Sequence, residues 1–274
     1  MKIFTSAAKL QKWCREKKRN GRRIALVPTM GCLHEGHLSL IETARRKKAD
    51  EIVVSIFVNP VQFGPNEDYA KYPREEKADL AKCRKARATA VFLPSPAEMY
   101  ASDHSVYVNE ETLSKGLCGA RRPGHFRGVC TVVAKLFNIV GPDFAVFGQK
   151  DYQQAQVIKR MVRDLDFGID IVVAPIVREK SGLAKSSRNT YLDEGEKERA
   201  VVLSRAVAGV KAGEKAAAAK RRLRKMIDDA GLETDYVEIV APDTLEDVKS
   251  VRKGDVVLVA AKCGKTRLID NGKI

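Results

Sequence analysis

Two histidines three residues apart, His34 and His37, stand in the stretch Pro28-Thr-Met-Gly-Cys-Leu-His-Glu-Gly-His-Leu-Ser-Leu-Ile41. An apolar run, Ile24–Val27, precedes them, and Leu38, Ile41 and Ala44 follow at helical spacing. That order predicts strand, turn and helix, with both imidazoles on one side of the helix's first turn. The free N–H groups and the positive dipole end of such a turn favour anions, phosphates above all. Imidazoles placed there can donate to phosphate oxygens as charge builds up during attack on an α-phosphorus. Gly31 and Gly36 would let the backbone come close to a nucleotide. A metal pair stands more often at i, i+4, and no third ligand occurs nearby. H-x-x-H alone is a weak motif; its position directly after a strand, between glycines, carries the weight.

A second segment, Gly182-Leu-Ala-Lys-Ser-Ser-Arg-Asn189, puts hydroxyls and a guanidinium on a loop. Such groups suit a triphosphate whose β and γ phosphates must be gripped as they leave. Ser, Gly and Asn are also ordinary loop residues, so a polar linker is the competing explanation. The usual phosphate loops do not occur: there is no G-x-G-x-x-G, and Gly264-Lys265-Thr266 has Val259 where a P-loop needs its first glycine.

The elements that must position these groups follow from hydrophobic pattern. Ile24–Val27, Ile52–Val58, Val91–Leu93, Phe144–Phe147 and Ile169–Val173 are Val-, Ile- and Phe-rich runs that read as buried parallel strands. Val129, Val132, Val133, Leu136, Phe137 and Val140 mark one helix face, and Ala155, Ile158, Val162 and Leu165 another. The alternation predicts a Rossmann-like, doubly wound α/β domain over residues 1–175. After Pro175 the pattern changes to a loop, a helix starting near Asp193 with Glu196 completing a capping box, a basic Ala-rich helix, and strand-like runs at Tyr236–Val240 and Val256–Ala260. Residues 176–274 are therefore expected to form a smaller α+β lid domain, with the 182–189 loop at the hinge.

The 274 residues are 44% hydrophobic and 31% charged, which excludes a disordered chain or a small disulfide scaffold. Fifty Lys and Arg against 35 Asp and Glu leave a net charge of +15, a bias that raises nucleic-acid binding as an alternative. The excess is local: residues 1–23 carry net +8 and residues 211–225 net +6. Charge runs of this kind usually form the solvated face of an amphipathic helix, aromatics are only 6%, and no nucleic-acid module is recognisable. The expectation is no nucleic-acid partner. Six scattered cysteines, with neither C-x-x-C nor regular spacing, and no apolar run near the roughly 20 residues of a membrane span, point to a reduced, cytoplasmic protein without a membrane partner.

His34-Glu-Gly-His37 resembles the HIGH signature of the nucleotidyltransferase superfamily, and Lys185–Arg188 its KMSKS-type loop. The stretches Pro28–His37, Phe57-Val-Asn-Pro-Val-Gln-Phe-Gly64, Arg122-Pro-Gly-His-Phe-Arg-Gly128, Phe147-Gly-Gln-Lys-Asp151 and Ser186-Ser-Arg-Asn189 together resemble the pantoate–β-alanine ligases, in order and in spacing. Arg267-Leu-Ile-Asp-Asn271 is similar to the family's last strand. The resemblance implies that ATP and (R)-pantoate form a pantoyl adenylate with loss of pyrophosphate, and that the amine of β-alanine then displaces AMP to give pantothenate. Adenylation turns a poor acyl donor into a good one, so no covalent enzyme nucleophile is needed.

Carried over residue by residue, the resemblance implies that Met30, Gly31, Cys32, Leu33, His34, Glu35, Gly36 and His37 line the ATP site, with His37 the proton donor and His34 its phosphate-binding companion. Gly148, Gln149, Lys150 and Asp151 form a nucleotide-binding turn, with Lys150 a point charge on the phosphates. Val177 meets adenine through its backbone, and Lys185, Ser186, Ser187 and Arg188 close over the phosphates, Ser187 and Arg188 among the catalytic groups. Gln62 and Gln154 hold pantoate, Gln62 also lies near incoming β-alanine, and Asn59 shapes that pocket. For His125 and Arg122, a structural role beside Phe126 and a role near the substrate stand level. The family implies Mg²⁺ alongside ATP, with Asp151 and Asp79 as candidate ligands, and a homodimer formed through the larger domain. The chain departs from the family at Lys185, where an apolar residue, commonly Met, is usual, and at Ser181, where an acid is usual. Lys185 either adds a phosphate contact or points into solvent. Another adenylate-forming relative acting on a different acid is the competing enzyme reading.

Overall fold

The computed structural model describes residues 1–65 and 67–274, and the chain divides into two compact units, Met1–Gly148 with Gln153–Ala174, and Gln149–Tyr152 with Pro175–Ile274.

In the first unit, mainly apolar runs form a parallel sheet whose inner strands are buried on both faces, while its two edge strands, the first and last in chain order, are partly exposed. These are β1 (Lys2–Phe4), β2 (Ile24–Thr29), β3 (Glu51–Ile56), β4 (Ala90–Phe92), β5 (Phe144–Gly148) and β6 (Asp170–Ala174). All pair in parallel, in the order β1-β4-β3-β2-β5-β6. From β2 the chain first builds outward through β3 and β4, then returns to add β5 and β6 on the other side. The order therefore reverses between β2 and β5, and ligands of open α/β sheets gather at the carboxyl ends of strands flanking such a point. The predicted doubly wound sheet is what the structure contains.

Several boundaries differ from the sequence reading. The run expected to extend to Val58 leaves the sheet after Ile56, since Pro60 lacks an amide hydrogen and starts a short 3-10 turn, Pro60–Gln62. The basic N-terminus contributes β1 and α1 (Ala7–Arg19), which pattern alone did not announce; α1 buries Leu10, Trp13 and Cys14. Helix α2 (Glu35–Arg46) buries Leu40, Ile41 and Ala44, so Leu38 is a flanking rather than a central contact. Helix α6 (His125–Val140) buries all six of its expected apolar positions. Along α7 (Tyr152–Asp164), Ala155 and Ile158 are buried as expected, but Met161 takes the next position, and Leu165, one residue past the helix end, is 52% exposed. The remaining helices of this unit are α3 (Glu76–Lys85), α4 (Pro96–Met99) and α5 (Leu117–Arg121).

The second unit packs α8 (Glu194–Ala200), α9 (Val202–Ala208) and α10 (Ala216–Asp229) with an antiparallel sheet of β7 (Glu233–Val240), β8 (Val256–Cys263) and β9 (Thr266–Lys273), in that order. Asp193 caps α8 in a reciprocal box with Glu196, as the spacing predicted. The basic helix α10 buries Ala216, Ala219, Leu223 and Ile227, while Lys220, Arg222 and Lys225 pair with acids on its outer faces. The third strand, β9, contains the Arg267–Asn271 stretch.

Candidate active site

The turn between β2 and α2 is held in an uncommon backbone shape. Gly31 has φ +85° and Cys32 φ +48°, a left-handed conformation that costs a non-glycine residue about 1 kcal/mol or more. Asp79 on α3 compensates: its two carboxylate oxygens accept the Cys32 and Leu33 N–H groups at 2.8 and 2.7 Å. Lys82, one helical turn on, donates to the Leu33 carbonyl at 2.7 Å. A Cβ on Gly31 would stand 3.0 Å from the Asp79 carboxylate, so glycine is needed here for space as well as for φ. Asp79 is only 1% exposed, and burial pushes its carboxyl up from the usual range against the pull of the two N–H groups and Lys82. Both oxygens are engaged by the loop backbone, which gives Asp79 a structural role in holding the turn.

The same turn orients the histidines. His34 is the N-cap of α2 rather than its first helical residue, and His37 is the third. The Nδ1 of His34 accepts the Gly36 N–H at 3.1 Å, and the Nδ1 of His37 accepts the His34 N–H at 3.3 Å, a capping box built from two imidazoles. The rings lie 4.1 Å apart between centroids. With both Nδ1 atoms accepting, the neutral rings carry their protons on Nε2. Each imidazole is thereby fixed as an Nε2–H donor at the positive end of α2.

Next to this turn, Gln62 is 7% exposed, and its Nε2 lies 3.1 Å from Met30 Sδ as a donor. Its Oε1 accepts the Asn59 Nδ2 at 3.1 Å. Asn59 is the hub of the loop: it also donates to the Gly128 carbonyl at 3.1 Å and accepts from the Tyr100 hydroxyl at 2.8 Å. Helix α6 comes so close that a Cβ on Gly128 would stand 2.6 Å from the Gln62 Cα and N and the Val61 carbonyl. His125 is buried, and its Nδ1 lies 2.9 Å from the Gln62 carbonyl. Arg122 reaches His125 Nε2 at 3.0 Å and forms a bidentate pair with Glu67 at 2.6 and 2.7 Å. A guanidinium can only donate, so His125 Nε2 accepts and its Nδ1–H donates to Gln62. His125 and Arg122 thus brace the Gln62 backbone. Gln154 lies half-buried in the first turn of α7, whereas its neighbour Gln153 is buried and bonded to Cys118, Leu113 and Gly116.

In the second unit, Gln149–Asp151 form a 3-10 turn directly after β5, and Lys150 Nζ stands 3.8 Å from the Asp151 carboxylate. Val177–Lys185 fold back as a hairpin: the Val177 carbonyl accepts the Lys185 N–H at 2.9 Å, and Gly182 turns the tip at φ +100°. Ser186 caps the following 3-10 turn, Ser187–Tyr191, by accepting the Arg188 N–H at 3.3 Å. Asn189, buried, donates to Glu179 and to the Ala184 carbonyl at 3.0 and 3.1 Å. Each unit is ordered internally around its own set of expected phosphate contacts.

Among the described residues no three His, Cys, Asp or Glu side chains cluster as a metal cage. Burial pushes the thiols of Cys14, Cys83 and Cys130 up to about 12, which leaves them unreactive near neutral pH. No helix of the described residues is long and apolar enough to cross a membrane. Tyr100 went unnoticed in the sequence, and although Asp79, Arg122 and Asn271 were named there, the long-range partners they hold were not legible; the Asp79–Lys82 spacing on one helix face was the local signal available.

The pantoate–β-alanine ligase family model matches residues 2–273. The pantothenate synthetase of Clostridium novyi (strain NT) is 53% identical, over 96% of this chain and 94% of its own. That of Anaeromyxobacter dehalogenans (strain 2CP-C) is 53% identical over 99% and 98%. A crystal structure of pantothenate synthetase from Thermus thermophilus has a TM-score of 0.93 at 42% identity, covering 100% of this chain and 99% of the other. The pantoate–β-alanine ligase of Francisella tularensis, complexed with β-γ ATP and β-alanine, has a TM-score of 0.85 at 32% identity, covering 100% and 97%.

Proposed function

Because the chain belongs to the pantoate–β-alanine ligase family, we propose that it joins (R)-pantoate to β-alanine in an ATP-dependent reaction that releases AMP and pyrophosphate. The observation that carries this reading is the pair of imidazoles at the cap of α2, each accepting a backbone N–H through Nδ1 and so carrying its ring proton on Nε2 at a helix N-terminus. A pantoate carboxylate oxygen attacks the α-phosphorus, pyrophosphate leaves, and negative charge grows on the phosphate oxygens. His37 and His34 donate to those oxygens from a preorganised position. In the second step the β-alanine amine attacks the acyl carbon and AMP leaves. The enzyme's work is to position three ligands and stabilise phosphate charge.

In the first unit, Gln62 is the pantoate contact, and Asn59, His125 and Arg122 hold it in place; Gln154 is a second pantoate contact. In the second unit, Lys150, Ser187 and Arg188 stabilise the departing phosphates, with Lys185 and Ser186 beside them and Val177 the backbone contact for adenine. Mg²⁺ belongs to the same reading. It would be held mainly by phosphate oxygens and water, with Asp151 as the protein carboxylate, and when bound it neutralises phosphate charge. The family resemblance also supports a homodimer formed through the larger domain, and the scattered cysteines support a cytoplasmic setting.

The test is a substrate panel read as pyrophosphate and AMP release. Pyrophosphate appears only with pantoate present, and AMP release requires β-alanine. Faster turnover with some other acid would assign the chain to a different adenylating relative. Lys185→Met, which restores the usual family residue, shifts the KM for ATP by less than about tenfold, roughly 1.4 kcal/mol; a fall of several orders of magnitude in kcat would make Lys185 an essential phosphate ligand.

A further inference from the structure

Two adjacent residues on β9 reach the two cation-bearing segments of the second unit. Asn271, 2% exposed, donates from Nδ2 to the Gln149 and Lys150 carbonyls, each at 2.9 Å, and its Oδ1 accepts from Gln149 Nε2 at 3.3 Å. One amide therefore holds two consecutive carbonyls of the turn that carries Lys150. Asp270, equally buried, forms a bidentate pair with Arg178, at 2.6 Å to Nη1 and 2.9 Å to Nη2. Arg178 Nη1 also donates to the Gly182 carbonyl at 3.1 Å, tying the tip of the hairpin that leads into Lys185–Arg188. The Asn271 N–H donates to Asp270 at 2.8 Å, so the two residues are linked to each other as well. Neighbouring residues on a strand face opposite sides, which lets one dipeptide serve two separate segments. Strand β9 is at one edge of the sheet order β7-β8-β9, with β8 as its neighbour strand, so it can accommodate both.

We propose that Asp270 and Asn271 are positioning residues that set the Lys150 turn and the Arg178–Lys185 hairpin in register on one rigid strand. Two short loops in a phosphate site would otherwise sample their conformations independently, and a misplacement of about 1 Å is enough to cost about 100-fold in rate. As a positioning residue, Asn271 acts through Lys150, whose carbonyl it holds. The proposal rests on the functional reading above, because the consequence of misplacing Lys150 is read in pyrophosphate departure.

Asn271→Asp keeps the side chain's shape but replaces two donors with a carboxylate facing two carbonyl oxygens. In the otherwise native chain it lowers kcat for pantoate-dependent pyrophosphate release by about 30-fold, and in a Lys150→Ala background by less than about threefold, because residues acting through one another are not additive. Amide exchange at Lys150 and Asp151 quickens while β8 exchanges as before. If Asn271→Asp does not fold, Asn271→Ala, which removes the donors without adding charge, is read through the same cycle. An equal loss in both backgrounds, or unchanged exchange in the 149–151 turn, overturns the proposal. A native chain that releases no pyrophosphate with pantoate sinks the functional reading instead, and exchange alone then decides whether Asn271 holds the turn.

Discussion

Replacing His37 with alanine slows pantoate-dependent pyrophosphate release by about 10²–10³-fold, the usual cost of removing one preorganised donor from a developing oxyanion. The side chain does two things, and they separate experimentally. Its Nδ1 accepts the His34 N–H in the capping box, so alanine also removes part of a helix cap, worth about 0.5–2 kcal/mol of stability. That loss lowers the melting temperature by several degrees and leaves the chain folded at 25 °C. The rate effect belongs to the Nε2–H. When pantoyl adenylate is supplied ready-made, β-alanine-dependent AMP release falls much less, because pyrophosphate departure is bypassed. Rapid-quench measurement of each half-reaction checks this. Adenylate formation at the native speed in His37→Ala would remove the imidazole pair from the chemistry altogether.

Gly128→Ala is the second severe substitution, and sequence rules predict its sign wrongly. Alanine in a helix interior is favoured over glycine by about 1 kcal/mol, and Gly128 lies inside α6. Yet the added methyl would stand 2.6 Å from the Cα and N of Gln62 and from the Val61 carbonyl, which are main-chain atoms that cannot rotate away. Overpacking of this kind costs about 1–3 kcal/mol, which outweighs the helix gain. The loop that moves is the one presenting Gln62, and it is held by Asn59 and His125 so closely that displacement breaks both contacts. We expect kcat/KM for pantoate to fall by about 100-fold with the KM for ATP little changed. Calorimetric melting and pantoate titrations check the two halves. A variant more stable than the native chain with unaltered pantoate kinetics would show that the 60–62 turn yields without cost.

The parts of the fold legible from pattern were those with a strong local period. Strands β2 to β5 announced themselves because strands buried on both faces must be largely apolar, β6 by its short Ile-Val-Val run although it is only partly buried, and α6 because its apolar residues recur every three or four positions. The α8 cap was legible because Asp193 and Glu196 satisfy one another's backbone within four residues. Strand β1 carries no such signal: at three residues it has no period, and its place beside β4 is set by chain far from it in sequence. Leu165 was assigned to a buried face because spacing does not reveal that the helix has already ended at Asp164.

The candidate site divides along the same line. Residue types and spacing by themselves determined the sheet class, the strand–turn–helix setting of His34 and His37, and the motifs whose likeness identifies the family, since all of these reside in contiguous stretches. Only the tertiary structure decided how those residues are held: Asp79 sealing the strained turn at Cys32, both imidazoles committed through Nδ1, Arg122 and His125 bracing Gln62, and Asp270 with Asn271 bracing the two loops of the second unit. The physical reason is distance along the chain. A helical face or a cap joins residues within one turn, whereas Asp79 lies 46 positions from Leu33 and Asn271 lies 121 from Lys150. Hydrogen bonds across such separations exist only after the sheet has brought their partners together.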